Sequence, residues 1–291
     1  MLSKLFCKKR IVIFPTSGLG NSLHQLSAIK NIKKNFKGNV FYSDLVSTNN
    51  IVTYFLNNIL LRPWTIHQNN IFKDNNIKKN KDTIFSYIAL IILFYKFKNH
   101  RKNNIKLLSG YCACNIFNTT YLFGYFQDKT FLNWSESRIM IKDSIKNLED
   151  NIKKDILTIH IREGDPQAKK GGISFSKCTL DNNYYSNTIN DVSQKYFNKI
   201  KKIYIVGIYS NSKLNKIKKL INDKFNKAEI IISVGSYLDD FSLIWNSNIV
   251  IASNSTFSFW SGYYGDSNVI YMPSLFMNYR LDESKKKIKI Y

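Results

Sequence analysis

The sequence predicts an α/β protein built on parallel sheets. In the second half of the chain, short apolar runs alternate with segments of helical spacing, which is the element order of a parallel sheet. The chain opens on a similar unit, in which an apolar run, a glycine-containing loop and a helical pattern follow one another. The 291 residues are enough for two domains of ordinary size.

In the first half, Arg10 to Phe14 is predicted to be a buried strand. Leu23, Leu26, Ile29 and Ile32 have helical spacing and predict a helix over 22–36. The remaining elements predicted for this half are strands over 40–42 and 121–126, and a polar helical segment over 135–155 that links the two halves.

The second half is more regular and ends with a strand before Pro273. We place the boundary between an N-terminal domain, 1–150, and a C-terminal domain, 151–291, at the polar link. The strands predicted here cover 156–159, 202–207, 229–232, 248–252 and 269–272, and the helices cover 184–198, 213–225, 239–247 and 257–264.

Composition narrows the class of protein. The chain is 44% hydrophobic and 22% charged, which excludes a disordered protein. Its formal charge of +23 predicts attraction to nucleic acid, an acidic membrane surface or phosphate-bearing substrates, although compositional drift explains the charge equally well. The four cysteines lack zinc-site spacing and are expected to be free thiols. Since no signal peptide is visible, we expect a cytoplasmic protein.

The strongest apolar segment is the 13-residue run from Thr83 to Tyr95. It is shorter than the roughly 20 residues needed to span a bilayer. Apolar residues lie almost all the way round a helix drawn through it, which favours a buried helix. The alternative is a helix that docks on the inner face of a membrane, because lysines and arginines flank the run on both sides.

The segment His160-Ile161-Arg162-Glu163-Gly164-Asp165 follows the predicted strand 156–159. Open α/β sheets bind their ligands at the carboxyl ends of the strands. Arginine there presents a planar set of donors that matches phosphate oxygens. We therefore expect a phosphorylated ligand, such as a nucleotide, although His160 alone is also consistent with a buried histidine.

A second candidate site follows the first strand. Gly18 and Gly20 let the backbone of this loop approach a ligand closely, and Asn21 ends the loop just before the predicted helix. Leu23 occupies the position of the third glycine of a dinucleotide fingerprint, which disfavours a nicotinamide or flavin site. His24 and Gln25 are expected in the first helical turn, facing the same ligand. The alternative is a tight strand-to-helix turn.

Two further clusters open predicted helices. Ser253, Asn254, Ser255 and Thr256 combine hydroxyls with free backbone amides, which predicts an anion site, with ordinary N-capping as the alternative. Asp240 lies in a first helical turn, where acidic residues are common. The chain has no Asp-x-Asp triplet to hold a metal on a diphosphate, so we expect no metal and no cofactor.

Four motifs, taken in order, resemble the α-1,2-fucosyltransferases of glycosyltransferase family 11. These are GLGNSLHQLSAIK from Gly18, GYFQD from Gly124, HIREGD from His160 and ASNSTFSFWSGYYG from Ala252. The chain departs from the family pattern at His24, where a Phe-type residue is usual, and at Glu163, where a second Arg is usual. It also departs at Pro166, where Tyr is usual, and over 205–211, which replace a more acidic stretch.

The resemblance implies a fold of GT-B type, with two Rossmann-like domains that face a cleft. It implies an acceptor-side N-terminal domain and a C-terminal domain that binds GDP-fucose. By similarity, Arg162 would contact the diphosphate together with Ser255 and Thr256. His160 and Asp240 would lie near guanine, because a carboxylate can accept hydrogen bonds from the N–H groups of this base. The substrate-binding residues expected from the motifs are Gly18, Gly20, Asn21, His24, Gln25, Gln127, Asp240, Asn254, Ser255, Thr256 and Phe257.

The predicted activity is inverting transfer of L-fucose from GDP-fucose to a glycan hydroxyl, with an α-1,2 bond to galactose expected. The catalytic candidates are Arg162, Asp165 and His160; Asp165 is the first candidate base, before His160 and Asp128. The alternatives are a transferase of another nucleotide sugar and, in a different class, a basic protein that binds polyanions. The expected partners are a nucleotide-sugar donor and a glycan acceptor, with no nucleic acid. Peripheral contact with a membrane surface is the alternative given above for the helix over 83–95.

Overall fold

The computed structural model describes residues 10–15, 19–45, 77–102, 111–124, 126, 134–145, 148, 153–163, 179–274 and 287–291. The chain divides into two compact units, Met1–Lys146 and Asn147–Tyr291. This division lies close to the domain boundary that the sequence places at 150, while the role given to each domain stays a prediction.

The first unit carries a five-stranded sheet in the order β3-β2-β1-β5-β4. The strands are parallel except β4, which is antiparallel to β5. Its elements are β1 (Arg10–Phe14), α1 (Leu19–Asn35), β2 (Asn39–Tyr42), β3 (Lys78–Lys79), α2 (Ile84–Lys102), β4 (Tyr111–Ile116), β5 (Thr119–Gly124) and α3 (Trp134–Ser144).

One face of this sheet packs against α2. Ala89, Leu90 and Leu93 of the helix are almost fully buried against strand residues that include Val12 and Phe123. Cys112 and Cys114, two residues apart on β4, belong to the same core and are free thiols, as predicted for these two. Burial raises the pKa of both thiols.

The second unit carries a six-stranded, fully parallel sheet in the order β11-β10-β9-β6-β7-β8. Its strands are β6 (Lys153–Arg162), β7 (Lys202–Ile208), β8 (Glu229–Ile232), β9 (Ser247–Ile251), β10 (Val269–Met272) and β11 (Lys287–Ile290). Its helices are α4 (Asn182–Tyr196) with the 3₁₀ turn Phe197–Lys199, α5 (Asn211–Lys224), α6 (Tyr237–Asn246) and α7 (Thr256–Tyr264).

The strand order gives this sheet a switch point. From β6 the chain builds outward through β7 and β8, then returns to the other side of β6 with β9 and continues to β10 and β11. In open α/β sheets the ligand crevice lies at such a switch, outside the carboxyl ends of the strands. The fold therefore directs attention to the carboxyl ends of β6 and β9.

The core of the second unit explains why these runs form strands. Ile159, Ile205 and Ile251 lie in register on three neighbouring strands and are fully buried. Buried on both faces, parallel strands consist of continuous apolar runs. Helices α4 and α5 add Ile189, Val192 and other side chains to the same core.

The prediction of two Rossmann-like α/β units is confirmed, with three local corrections. Helix α1 begins at Leu19, so Gly20 and Asn21 lie inside it and the helix starts earlier than predicted. The segment 135–155 is not one helix, because α3 ends at Ser144 and β6 starts at Lys153. Three strands, β3, β4 and β11, were not predicted.

The prediction of a buried helix over 83–95 is wrong for one of its faces. The helix forms, but apolar side chains on the face away from the sheet, among them Ile84 and Tyr95, are exposed. Within the part of the chain that the structure describes, no helix is long and apolar enough to cross a membrane.

Candidate functional site

The candidate site begins with two residues at the carboxyl end of β6. The strand runs to Arg162, beyond the end predicted at Ile159. Its partner β9 stops at Ile251, which pairs with Ile159, so His160 and Arg162 extend past the end of β9. The 253–256 cluster follows β9 and opens α7. The two predicted clusters therefore meet at the switch point of the sheet.

Arg162 reaches the N-terminus of α7. Its Nη1 donates a hydrogen bond to Ser255 Oγ over 3.2 Å. Ser255 is the N-cap of this helix, and its Oγ accepts from the backbone N–H of Phe257, also at 3.2 Å. The first turn of α7 has no acidic residue. A guanidinium beside the positive end of a helix dipole forms an anion-binding site.

His160 is buried at the carboxyl edge of the second sheet. Its Nδ1 and Ser253 Oγ are joined by a hydrogen bond of 2.6 Å, and its ring lies 5.6 Å from that of Phe257. Tyr185 donates its hydroxyl to the backbone carbonyl of His160 over 3.2 Å. Burial, helped by the charge of Arg162, lowers the pKa of His160 to about 3. The imidazole is therefore neutral at ordinary pH and fixes the loop after β9.

Gly207 on β7 makes room for that imidazole. Its φ is +111°, a backbone conformation that favours glycine. A Cβ at this position would lie 2.9 Å from Cδ2 and 3.0 Å from Nε2 of His160, and 2.2 Å from the carbonyl oxygen of Ile161. In the sequence, residue 207 is only the last residue of a predicted strand. Its torsion angle and its contact with His160 depend on the pairing of β6 with β7.

Asp240 approaches the same glycine from α6. Hydrogen bonds from the Ser233 side chain and the Gly207 backbone favour its carboxylate, but burial outweighs them and raises its pKa. Its Oδ1 is buried and, among the described residues, has no hydrogen-bond partner. Asp239 is used differently, since it forms a capping box with Ser236 and is exposed. Asp240 is thus the acid of this pair that is aimed at the sheet edge.

Glu163, one of the departures from the family pattern, has a structural partner. Its Oε2 accepts hydrogen bonds from both the backbone N–H and the Oγ of Ser210, each at 2.7 Å. Ser210 is the N-cap of α5. A carboxylate at this place complements the helix dipole and ties the end of β6 to α5. Sequence reasoning treated Glu163 as a lost cation and did not foresee this contact.

Three of the predicted substrate residues surround the Arg162 contact. Asn254, Thr256 and Phe257 are each half-buried, in the loop after β9 and the first turn of α7. Phe257 also makes an edge-on contact with Phe241 of α6, with ring centroids 5.4 Å apart. This contact joins the helix that carries Asp240 to the helix capped by Ser255.

The predicted residues of the first unit form a separate group on α1. His24 and Gln25 are fully buried and lie in the second turn, not in the first as expected. Gln25 Nε2 donates to the carbonyl oxygen of Gly124, at the end of β5, over 2.8 Å. Burial lowers the pKa of His24 to about 3. Gln25 therefore holds α1 against the strand that opens the GYFQD motif.

Four of the predicted or candidate residues, Gly18, Gln127, Asp128 and Asp165, lie outside the described residues. Within the described ranges, no three His, Cys, Asp or Glu side chains are grouped so that they could hold a metal ion. The roles assigned from the sequence to the site residues stay predictions.

The fold and the site at the carboxyl ends of β6 and β9 define the class of this protein. It is a Rossmann-like α/β protein with a site for an anionic ligand at the switch point of a parallel sheet. The family model described as "Glycosyl transferase family 11" matches residues 8–290, nearly the whole chain. The chain belongs to glycosyltransferase family 11, as its motifs predicted, and is a glycosyltransferase. The comparison with curated proteins gave no significant match.

The chain also has a remote likeness to several solved glycosyltransferase structures. The fucosyltransferase NodZ from Bradyrhizobium has 9% identity and a TM-score of 0.48, over 87% of this chain and 92% of that chain. POFUT1 in complex with GDP has 10% identity and a TM-score of 0.44, over 98% of each chain. E. coli heptosyltransferase WaaC with ADP has 9% identity and a TM-score of 0.40, over 97% and 93%.

Proposed function

We propose that this protein transfers L-fucose from GDP-fucose to a hydroxyl of a glycan acceptor with inversion at the sugar carbon. Membership of glycosyltransferase family 11 supports sugar transfer. The choice of fucose, and of an α-1,2 bond to galactose, rests on the four motifs that resemble the α-1,2-fucosyltransferases. The site at the carboxyl ends of β6 and β9 is where we place the donor.

The contact between Arg162 and Ser255 is the observation that carries the proposal. It places a permanent cation beside the positive, N-terminal end of α7 at the switch point. A nucleoside diphosphate carries negative charge, which both the guanidinium and the helix dipole favour. We assign the diphosphate to this place.

Asp240 supports guanine as the base. A carboxylate accepts from the adjacent N1 and N2 hydrogens of guanine, whereas uracil offers a single N–H. The buried Oδ1 of Asp240, without a partner among the described residues, is suited to accept such a hydrogen bond. The neighbouring Ser233 and Gly207 hold the carboxylate in position.

During the reaction, negative charge develops mainly on the leaving group. The acceptor oxygen forms a bond to C1 of fucose while the bond from C1 to the diphosphate oxygen breaks, and its electron pair leaves with GDP. Negative charge therefore grows on the diphosphate in the transition state. Arg162 and the positive end of the α7 dipole stabilise that charge without a metal in this scheme.

The acceptor hydroxyl gives its proton to a base late in the reaction. Asp165 remains our first candidate. His160 suits the task poorly, because its pKa of about 3 makes it a weak acceptor and its Nδ1 is already bonded to Ser253. We therefore give His160 a positioning role, in which it holds the loop that leads to Ser255. The α1 segment from Gly18 to Gln25 is proposed to serve the acceptor.

Replacement of Arg162 tests the proposal. Arg162→Ala is expected to lower turnover of GDP-fucose at least ~100-fold, because a donor to transition-state charge is lost. The control is Lys202→Ala, which removes an exposed cation at the opposite, amino end of the neighbouring strand β7 and should leave turnover unchanged. Turnover is measured as GDP release in the presence of galactose-terminated acceptors.

The outcomes separate the alternatives. Near-wild-type turnover of the Arg162 variant would remove Arg162 from the mechanism. Turnover of GDP-mannose or a UDP-sugar, with none of GDP-fucose, would keep the site and replace the donor. Retention on heparin with no donor turnover at all would favour a polyanion-binding protein.

A further inference from the structure

Helix α2 presents an apolar face that is exposed in the part of the chain that the structure describes. We call it the α2 stripe, and at 100° per residue its members fall within an arc of about 120°. Its six residues, with their exposed fractions, are Ile84 (66%), Phe85 (40%), Ile88 (42%), Ile91 (52%), Ile92 (38%) and Tyr95 (67%).

The opposite face of the helix carries apolar side chains that are buried. Ala89, Leu90 and Leu93 are at most 1% exposed and pack against the first sheet. The stripe is thus additional to what the core requires. Contiguous exposed apolar side chains of this kind mark an interaction surface.

Phe117 extends the stripe from a neighbouring element. It lies in the two-residue turn between β4 and β5, is 74% exposed, and its ring meets that of Phe85 edge-on at 5.0 Å. Its φ of +49° is unusual for a bulky residue and costs free energy. Two-residue hairpin turns require positive φ, and the turn here holds an exposed aromatic ring beside the stripe.

Positive charge surrounds this surface. Lys78 and Lys81 are exposed just before the helix, and Lys96 is exposed beyond the last stripe residue. The nearby acid Asp82 is half-buried and accepts a hydrogen bond from Asn80. An apolar stripe bordered by cations complements an anionic lipid surface.

We propose that the α2 stripe and Phe117 bind the surface of an anionic membrane. The helix lies in the plane of the interface, its apolar side chains enter the acyl boundary and its lysines contact the headgroups. A second copy of the chain fits less well, because stripe-to-stripe contact would bring two cationic borders together. The proposal is independent of the donor site and of fucose transfer.

Vesicle co-sedimentation tests this proposal. The full chain is mixed with vesicles of equal parts phosphatidylcholine and phosphatidylglycerol, and separately with pure phosphatidylcholine. The test variant is Ile88→Gln with Ile91→Gln; both positions are exposed, so the fold should be retained, which thermal unfolding checks. The matched control is Ile139→Gln, an isoleucine that is 60% exposed on α3 of the same unit.

We expect wild type and the Ile139 variant to bind the phosphatidylglycerol vesicles, and the double variant to bind at least ~10-fold more weakly. Binding to phosphatidylcholine should be weaker, and added salt should weaken the anionic binding. No binding by wild type, or equal binding by the double variant, would overturn the proposal. A third outcome would also overturn it: wild type self-associates in sedimentation velocity but does not bind vesicles, and the double variant no longer self-associates. That result would assign the stripe to contact with a second copy of the chain.

Discussion

The fully buried His24 predicts a loss of stability in acid that one substitution should reduce. Burial lowers its folded-state pKa from 6.5 to about 3. Between these two values the unfolded chain binds a proton at this residue and the folded chain does not. Stability therefore falls as the pH drops below 6.5, and the loss continues down to a pH of about 3.

The size of the effect follows from the two pKa values. At pH 5.5 the linkage relation gives a loss of about 1.4 kcal/mol for one such histidine relative to neutral pH. His24→Phe removes the titrating group and places the residue type usual in the family's first motif. The variant should thus lose about 1.4 kcal/mol less than wild type between pH 7.5 and pH 5.5.

The assay is urea unfolding of both proteins at the two pH values. All other groups titrate in both proteins, so the difference between the two pH dependences isolates His24. Hydrogen exchange locates the effect, which should concentrate in α1 and β1 of the first unit. Identical pH dependence of wild type and variant would refute the assignment of a neutral, buried His24.

Two further substitutions test the frame of the donor site. Glu163→Arg restores the residue usual in the family motif but removes the acceptor of two Ser210 hydrogen bonds at the start of α5. We expect the free energy of unfolding, measured in urea, to fall by about 1 kcal/mol. Unchanged stability would show that the contact contributes nothing. Gly207→Ala should cost more than ~2 kcal/mol and displace His160, because the added Cβ meets Ile161 and the imidazole. Ile208→Ala, at the 45% exposed neighbour, is its control and should be mild; equal losses for the two variants would contradict the packing described.

Local pattern was sufficient to predict most elements of the second unit. The continuous apolar run 269–272 coincides with a strand that is buried throughout, since inner parallel strands are buried on both faces. Strand β11, Lys-Ile-Lys-Ile, escaped because an edge strand with alternating lysines lacks such a run. Strand β4, with cysteines and Asn115 in place of β-branched residues, escaped for a similar reason.

Long-range contacts account for the rest. Sequence placed Arg162 and Ser255 at the ends of different strands, but their contact depends on β9 returning to lie beside β6. The link between Glu163 and Ser210 depends on the pairing of β6 with β7. The composition of α2 could not show which apolar face was exposed, because both faces have the same kind of residue.

Calorimetric titration of GDP against UDP tests the central claim most directly. We predict that GDP binds at least ~10-fold tighter than UDP at pH 7.5, because the Asp240 carboxylate accepts from guanine. Asp240→Asn should remove most of this preference, and Asp239→Asn, at the exposed capping residue, should keep it. Since burial raises the pKa of Asp240 and only its carboxylate accepts both hydrogens, GDP affinity should weaken as the pH falls through that pKa. Equal affinity for GDP and UDP, or no binding of either, would contradict a GDP-sugar site at the carboxyl edge of this sheet.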